Sequence, residues 1–432
     1  MKIAIIGSGI SGLSCAYRLV QQGMEVTLFE AGAYFGGHTH TVDIRLDGIT
    51  FGVDTGFLVF NHSTYPQFVS LLEELDVISA PSDMSFSVKM PVSDAPGARM
   101  LEWAGGNLDT VFTQRRNAFN PKFWGMLREI VRFNRQASAL VMAGQAPDLS
   151  LGQFLRLQRY SAQFCNWYLL PMAACIWSCP SDQMLAFPLS SFIRFCHNHG
   201  LLQVNGRPQW RTVQGGARNY VEKLLAAIPD PRLNCPVLAV TRDARRGART
   251  VRLDSGAGAE YFDHVVMACH SDQALALLSD AHADERALLS AIRYQPNRAV
   301  LHSDASCLPR KRKAWSAWNY QSATSSAARV CVHYLINRLQ PLPFTTPVIV
   351  SLNPIEAPDP RCVIDEFSYS HPVFDAGAIA AQSSLARIQG ARNTWFAGAW
   401  TGYGFHEDGL KSGLAVAEAL AQAKSEQQYA AA

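Results

Sequence analysis

The sequence predicts an α/β fold in which helices cover a parallel sheet, with a second domain of α+β type. Three observations support this prediction: a strand–helix–strand unit within residues 2–29, apolar and aromatic helical segments from about 76 to 200, and short buried strands at 265–268 and 395–399. Short apolar runs bounded by glycine are typical of buried parallel strands. At 432 residues the chain is long enough for two domains.

Composition excludes several classes of protein. The chain is 48% hydrophobic and 17% charged, which favours a globular fold with a large core over disorder. A net charge of +3 is too small to indicate a nucleic-acid partner. Ten cysteines are scattered without a Cys-x-x-Cys pair, and the histidines fit no zinc spacing, so we expect buried reduced thiols and no metal.

The first element, residues 2–6, is predicted as a buried strand that leads into a Gly-x-Gly-x-x-Gly turn and a helix over 10–22. Gly7 allows the tight turn, Gly9 lets the backbone approach a pyrophosphate, and Gly12 lets helix and strand pack closely. The first helical N–H groups, at Ile10 and Ser11, then face the phosphates. The pattern predicts dinucleotide binding.

The second strand, residues 25–29, ends at an acid. Glu30 lies 18 residues after Gly12, where a carboxylate accepts hydrogen bonds from a ribose diol. A second glycine pair, Gly36 and Gly37, follows within a few residues, and Gly56 adds a further close approach. A dinucleotide with a bulky tricyclic ring needs several such approaches, so the sequence favours FAD over NAD.

Both ends of the chain resemble one family. Residues 7–37 resemble the flavin amine oxidase superfamily, which includes monoamine oxidases, protoporphyrinogen oxidase and phytoene-type desaturases, and residues 396–413 resemble its closing FAD segment. Within it, the strings GHTHTVD at 37–43 and GFHEDG at 404–409 resemble a bacterial branch described as predicted NAD/FAD-binding proteins. The middle of the chain, about 80–290, resembles the family only in its general pattern of apolar and aromatic residues and contains no matching motif.

The resemblance implies a Rossmann-like FAD-binding domain of the glutathione-reductase type and an α+β substrate domain. It places Gly398 and Asp408 near the pyrophosphate and ribityl chain, Gly409 and Leu410 at the start of the last helix, and Val237 beside the adenine. Motifs and resemblance together predict these cofactor contacts: Gly7, Gly9, Ile10, Ser11, Gly12, Glu30, Ala31, Gly36, Gly37, His38, Thr55, Gly56, Phe57, Val237, Gly398, Ala399, Glu407, Asp408, Gly409 and Leu410.

Two departures from the family pattern have consequences. His38 stands where the family commonly has arginine, which weakens or re-routes a phosphate contact. Members that attach FAD covalently use a cysteine near the closing segment, and none lies beside Trp400, so we expect non-covalent FAD.

The predicted division is discontinuous. The FAD-binding domain takes residues 1–75, 205–290 and 390–432, and the substrate-binding domain takes residues 76–204 and 291–389. No catalytic triad is expected, because the flavin takes the hydride and the protein positions the substrate.

Three residues are candidates for catalysis. His406 and Tyr403 would lie beside the flavin, and Arg298 falls near the place where amine oxidases carry a lysine. Each has a structural alternative: helix capping for His406, core packing for Tyr403, and an ion pair at a strand edge for Arg298.

The sequence favours an FAD-dependent oxidoreductase that oxidises, desaturates or isomerises a small apolar substrate, such as an unsaturated fatty acyl lipid. The alternatives are a peroxide-forming amine oxidase and a flavoprotein with a structural or partner-binding role. The electron acceptor, O2 or another, stays open. We expect a cytoplasmic protein, with an open alternative of peripheral contact with the inner face of the membrane through residues 310–313 (Arg-Lys-Arg-Lys) and the apolar segment 167–179.

Overall fold

The computed structural model describes residues 1–177, 181–203, 206–242, 251–325 and 331–431. Within them the strands are, in chain order, β1 Lys2–Ile6, β2 Glu25–Phe29, β3 Thr41–Leu46, β4 Ile49–Asp54, β5 Phe60–Asn61, β6 Ser79–Pro81, β7 Phe86–Pro91, β8 Met100–Ala104, β9 Trp210–Val213, β10 Asp230–Arg232, β11 Val237–Arg242, β12 Val251–Ser255, β13 Gly258–Phe262, β14 His264–Met267, β15 Arg293–His302, β16 Trp318–Gln321, β17 Val332–Leu335, β18 Ile349–Leu352, β19 Val363–Val373 and β20 Thr394–Phe396.

The helices of the same residues alternate with these strands at both ends of the chain and dominate its middle. They are α1 Ile10–Gln21, α2 Pro66–Glu74, α3 Leu108–Val111, α4 Pro121–Ala143, α5 Leu151–Leu157, α6 Ala162–Phe164, α7 Leu170–Trp177, α8 Ser181–Ala186, α9 Leu189–Asn198, α10 Arg218–Ala226, α11 Ser271–Leu277, α12 Ala283–Ser290, α13 Ile336–Leu339, α14 Ala376–Ser384 and α15 His406–Ala431.

A parallel sheet of five strands, in the order β10-β2-β1-β14-β20, forms the centre of one half of the molecule. Every pairing in it is parallel, and β1 is buried between β2 and β14. This sheet confirms the predicted α/β class. Its strands come from residues 2–29, 230–267 and 394–396, all within the ranges predicted for the FAD-binding domain. The division into domains itself stays a prediction.

A mixed sheet of seven strands, in the order β19-β15-β18-β17-β16-β7-β8, forms the other half. Side chains alternate between its faces. Leu301 and Val350 pack into the core that contains β1 and α1, whereas Val88, Trp103 and Tyr320 pack with α4 to α9 in a second core. The predicted aromatic insert therefore builds helices on one part of this sheet.

Two predicted helices begin at other residues than expected. The last helix starts at His406 instead of Gly409, because Glu407 and Asp408 in its first turn favour the positive end of the helix dipole. The sequence also predicts a helix from Gly215 to Ala227, and in the structure it starts at Arg218, since Gly215 and Gly216 take φ values of 77° and 107°, which are outside the helical range. The polar residues 242–263 predict a hairpin, which appears as β12 and β13, and residues 243–250 lie outside the described residues.

The apolar segment proposed for membrane contact is part of the second core. Trp167, Leu169 and Cys175 are buried there and Met172 and Ile176 are half-buried, so the segment up to residue 177 packs mainly inside the protein, and residues 178–179 lie outside the described residues. In the described part of the chain, no helix combines the length and the apolar composition needed to cross a membrane.

Candidate functional site

The glycine turn lies at the carboxyl end of β1, the edge at which ligands bind in open α/β sheets. Gly9 precedes α1 with φ −62° and ψ 176°, and a Cβ placed on it would have no atom of the described residues within 4 Å. A Cβ on Gly12 would lie 1.9 Å from the Gly7 carbonyl oxygen. Gly9 is thus a position where the surface stays open to a ligand, whereas Gly12 serves close packing.

Glu30 follows β2 at the same edge. Its carboxylate accepts hydrogen bonds from the backbone N–H of Ser8 at 3.0 Å and from that of Gly32 at 2.8 Å. Its own carbonyl accepts from the Cys235 N–H, two residues before Val237, so the predicted adenine and ribose contacts lie close together. Ala31 is exposed beside them.

The second glycine pair packs directly against the first. The Gly36 N–H donates to Ser8 Oγ at 3.1 Å, and a Cβ on Gly37 would lie 3.2 Å from the Gly9 Cα. The chain from Thr55 to Phe57 continues this wall, because the Phe57 N–H donates to the His38 carbonyl at 2.7 Å. The structure therefore brings the motifs at 7–12, 36–38 and 55–57 together.

The C-terminal segment closes the same region. A Cβ on Gly409 would lie 2.9 Å from Ile10 Cγ2, and one on Gly413 would lie 2.2 Å from the Ser11 carbonyl. Helix α15 thus crosses the start of α1 at backbone contact, with Leu410 fully buried between them. The Gly398 N–H donates to Ser412 Oγ, which ties the turn at Ala399 to α15.

Side chains at the start of α15 hold the neighbouring elements. The His406 ring stacks on Phe57 at 3.7 Å between centroids, and Glu407 accepts the backbone N–H groups of Gln67 and Phe68 at the start of α2. Asp408 accepts the N–H groups of Tyr403 and Phe405, and burial raises the pKa of its carboxyl to about 6. Tyr403 and His406 therefore lie on either side of one turn.

Buried imidazoles gather beside the glycine loops. His38 has its ring centroid 6.3 Å from His270 and 5.4 Å from His371, and burial, followed by these rings and His406, lowers the pKa of His38 to about 3. Burial also lowers the pKa of His371 to about 4 and that of His406 to about 3. These rings are neutral at pH 7. Nε2 of His38 is buried and has no hydrogen-bond partner among the described residues.

The donor set fits FAD. An open glycine position at a helix start, a carboxylate at the end of β2 and a buried, unpartnered His38 Nε2 supply the contacts that a pyrophosphate, a ribose diol and a polar ring edge require. Because the imidazoles are neutral, they can donate and accept hydrogen bonds without adding charge.

Arg298 lies apart from this group. It is half-exposed on β15 and forms an ion pair with Glu366 on the neighbouring strand, which is the structural alternative considered for it. Its neighbour Asn297 is buried, and its Nδ2 lies 3.1 Å from His371 Nδ1. The inward-facing polar residue of this strand is therefore Asn297, and the strand's alternation of faces explains the difference.

An aromatic wall joins the imidazoles to the helical insert. Phe405 stacks on Phe195 of α9 at 4.8 Å, and its ring centroid lies 5.7 Å from His199 and 6.5 Å from Trp177. Tyr403 lies 6.0 Å from the same Phe195 ring. This wall stands directly beside the His406 turn.

Sequence reasoning missed His270, Asn297 and the pairing of Phe195 with Phe405. One signal was available: His270 comes just after β14, and the carboxyl ends of parallel strands meet at one edge of the sheet. The contact between Phe195 and Phe405 depends on how the insert packs, which no local pattern contains.

A second histidine group lies in the seven-stranded sheet. His302, Cys307 and His333 place possible ligand atoms within 4.8 Å of one another. Their imidazole nitrogens already have partners: His302 Nδ1 accepts from the Asp304 N–H, Ser351 Oγ lies 2.6 Å from a nitrogen of each ring, and His333 Nε2 faces the Gln321 amide oxygen. A metal ion would have to displace these bonds, and the expected absence of a metal stays a prediction.

Comparisons with known proteins agree with this arrangement. A family model described as "Flavin containing amine oxidoreductase" matches residues 10–302. A putative flavin-containing monoamine oxidase from Mycobacterium tuberculosis is 25% identical over 272 residues, covering 59% of this chain and 54% of that protein. The chain thus spans about half the length of the curated relatives it matches.

Solved structures share the fold over nearly the whole chain. Cyclohexylamine oxidase from Brevibacterium oxydans superposes with a TM-score of 0.67 at 16% identity, covering 98% of this chain and 99% of that one. A fatty acid isomerase from P. acnes that produces CLA gives a TM-score of 0.65 at 16% identity, with 98% of each chain covered.

Proposed function

Because this chain belongs to the family of flavin containing amine oxidoreductases, we propose that it oxidises, desaturates or isomerises an apolar substrate, with an unsaturated fatty acyl chain as the leading class. Family membership confirms the predicted cofactor, FAD, and the predicted class, an FAD-dependent oxidoreductase. When bound, FAD supplies a ring that accepts or returns hydride.

The observation that carries the proposal is the aromatic wall. Phe405, which is half-buried, presents its ring beside the His406 turn, where the resemblance places the flavin, and the buried rings of Phe195 and Trp177 pack behind it. Apolar rings offer contact area to a hydrocarbon chain at about 25 cal/mol for each Å² removed from water. Such a wall favours a substrate that is itself apolar.

The charges near the wall support the same choice. Glu407 and Asp408 are the nearby carboxylates, and each already accepts two backbone N–H groups. These bonds, and the Lys411 ammonium group 3.6 Å from Glu407, leave the two carboxylates less available to a substrate ammonium group, and the imidazoles of His38 and His406 are neutral. An uncharged substrate therefore loses less hydration here than a cationic one.

The chain's residues have distinct tasks in this proposal. The loop at Gly9 and the start of α1 bind the pyrophosphate, Glu30 binds the ribose, and the imidazole of His38 donates or accepts one hydrogen bond at the ring edge. Phe405 and Phe57 exclude water from the space beside His406. Exclusion of water strengthens each remaining hydrogen bond.

A second candidate, an amine oxidase that forms peroxide, is supported by the same wall in another way. Stacked rings at Phe195 and Phe405 could surround an ammonium group through cation–π contacts. A relative named as a monoamine oxidase belongs to the same family.

Anaerobic flavin bleaching separates the two candidates. Unsaturated fatty acids are expected to bleach the flavin absorbance or to return as isomers, detected by mass spectrometry, and a panel of primary amines is expected to leave the absorbance unchanged. Phe405→Leu should raise KM for the fatty acid, whereas Phe367→Leu, a half-buried phenylalanine packed on His40, should not. Peroxide formed with amines but no reaction with lipids would contradict the proposal and favour the amine oxidase.

A further inference from the structure

One surface of the molecule combines protruding apolar side chains with a concentration of basic residues. It consists of residues 107–124 and 309–316, named here the basic-aromatic surface. Phe119 is 88% exposed, the largest value for a large apolar side chain in the described residues, and Leu108 is 76% exposed. Trp124, at the start of α4, is 47% exposed. The fold does not bury these side chains, so their apolar area is available for contact with a membrane or another protein.

Contacts show that the two segments form one surface. Asp109 binds Arg115 within the first segment and Lys313 from the second, the latter at 3.0 Å. The Trp124 Nε1–H donates to the Ala118 carbonyl, next to Phe119, at 2.8 Å. These bonds hold the exposed rings and the basic loop side by side.

The charge of this surface is strongly one-sided. The two segments contain seven basic residues and one acidic residue, whereas the whole chain has a net charge of +3. The acid, Asp109, is already bound by two cations. Arg310, Lys311 and Arg312 form no ion pair with any described residue, and their charges are therefore available to an anionic partner.

We propose that the basic-aromatic surface binds the headgroup layer of an anionic lipid bilayer, with Phe119 and Leu108 entering the acyl boundary. Along residues 107–124 the exposed apolar side chains alternate with Arg115, Arg116 and Lys122, and a surface that mixes apolar and cationic side chains matches the headgroup boundary of a bilayer better than the apolar core of a protein interface. Anionic headgroups supply the complement to the unpaired cations.

Membrane binding by this surface does not depend on which substrate the protein uses. The surface adds new residues, Phe119 and Leu108, to the basic run 310–313 and leaves out Trp318, which packs inside the molecule. Residues 107–124 follow β8, the edge strand of the seven-stranded sheet, so the bilayer would contact this half of the molecule.

Vesicle flotation with purified protein tests the proposal. Wild-type protein is expected to float with vesicles of phosphatidylcholine and phosphatidylglycerol, to stay in the soluble fraction with phosphatidylcholine alone, and to be released by salt. Replacing Arg310, Lys311 and Arg312 together by Gln should weaken binding about a hundredfold, because each contributes about 1 kcal/mol. Phe119→Asp should weaken it at least about tenfold.

Ile78→Asp is the matched control, because Ile78 is 68% exposed but lies outside this surface, and it should bind like wild type. Circular dichroism checks that each variant is folded. Equal flotation of wild type and the triple variant would overturn the proposal, as would binding that ignores phosphatidylglycerol. Dimerisation that Phe119→Asp abolishes, without vesicle binding, would also overturn it and identify a second copy of the chain as the occupant.

Discussion

Two glycines at the same helix crossing should respond in opposite ways to the addition of one methyl group. Gly9 has a φ of −62°, which alanine adopts without strain, and in the part of the chain that the structure describes no atom would lie within 4 Å of its Cβ. Gly413 lies across the crossing, where a Cβ would stand 2.2 Å from the Ser11 carbonyl and 2.6 Å from Ser14 Oγ. Gly9→Ala thus tests cofactor binding, and Gly413→Ala tests packing.

The magnitudes follow from these contacts. At a helix start alanine is a poorer cap than glycine, but it also reduces the entropy of the unfolded chain, and the two effects, each roughly 0.5–1 kcal/mol, oppose one another. The Tm of apoprotein carrying Gly9→Ala should therefore stay within about 4 °C of wild type. Its Cβ occupies the approach of a phosphate to the N–H groups, and loss of one charged hydrogen bond weakens FAD binding roughly tenfold to 150-fold.

Quenching of flavin fluorescence on titration into apoprotein measures the FAD Kd, and thermal unfolding measures the apoprotein. Gly413→Ala should lower stability by about 1–3 kcal/mol, since the helices must separate. The reasoning is refuted if Gly9→Ala binds FAD as tightly as wild type, or if it destabilises the apoprotein as much as Gly413→Ala does.

Three further predictions concern charge. Burial lowers the pKa of His406 to about 3, so its ring is neutral in the fold, whereas in the unfolded chain it takes up a proton below about pH 6.5. The contribution of His406 to the free energy of unfolding is therefore fully present above pH 6.5 and falls by about 1.4 kcal/mol per pH unit between 6.5 and 3. His406→Gln should reduce this pH dependence, measured by urea unfolding at pH 7 and pH 5. Glu285→Gln should lower the free energy of unfolding in urea by about 1.5–3 kcal/mol, because it removes one charge from a pair in which both side chains are 3% exposed, while Arg242 keeps its ion pair with Asp280. Arg298→Gln should leave turnover close to the wild-type value, since Arg298 faces solvent beside Glu366; a large loss of turnover would return it to the catalytic candidates.

The parallel sheet could be predicted because its information is local. Residues 2–6 and 25–29 become β1 and β2 at the predicted bounds, since apolar runs and the glycine turn specify strand and crossover without help from distant residues. The starts of α10 and α15 could not be located so well, because Asp54 contacts the Ala217 N–H from a distant strand and Asp408 holds the loop before α15.

The candidate site likewise has a part that local sequence predicts and a part that depends on distant contacts. The glycine motifs and Glu30 have fixed spacing and were found, whereas the aromatic wall joins residues about 200 positions apart, and Phe195 has no local feature that separates it from a core phenylalanine. Arg298 and Asn297 differ by one position on β15, and a loose alignment cannot choose between faces that alternate with every residue.

The first and last helices depend on each other for the cofactor site. Gly409 and Gly413 on α15 allow backbone contact with Ile10 and Ser11, so the first turn of α1 is held by a segment about 400 residues later in the chain. The N–H groups of that turn form the expected phosphate site, and their position therefore depends on the pairing of β20 in the parallel sheet and on the packing of α15 against α1. Since the sheet can pair its other strands without β20, FAD binding should be the property most sensitive to how well the C-terminal segment packs.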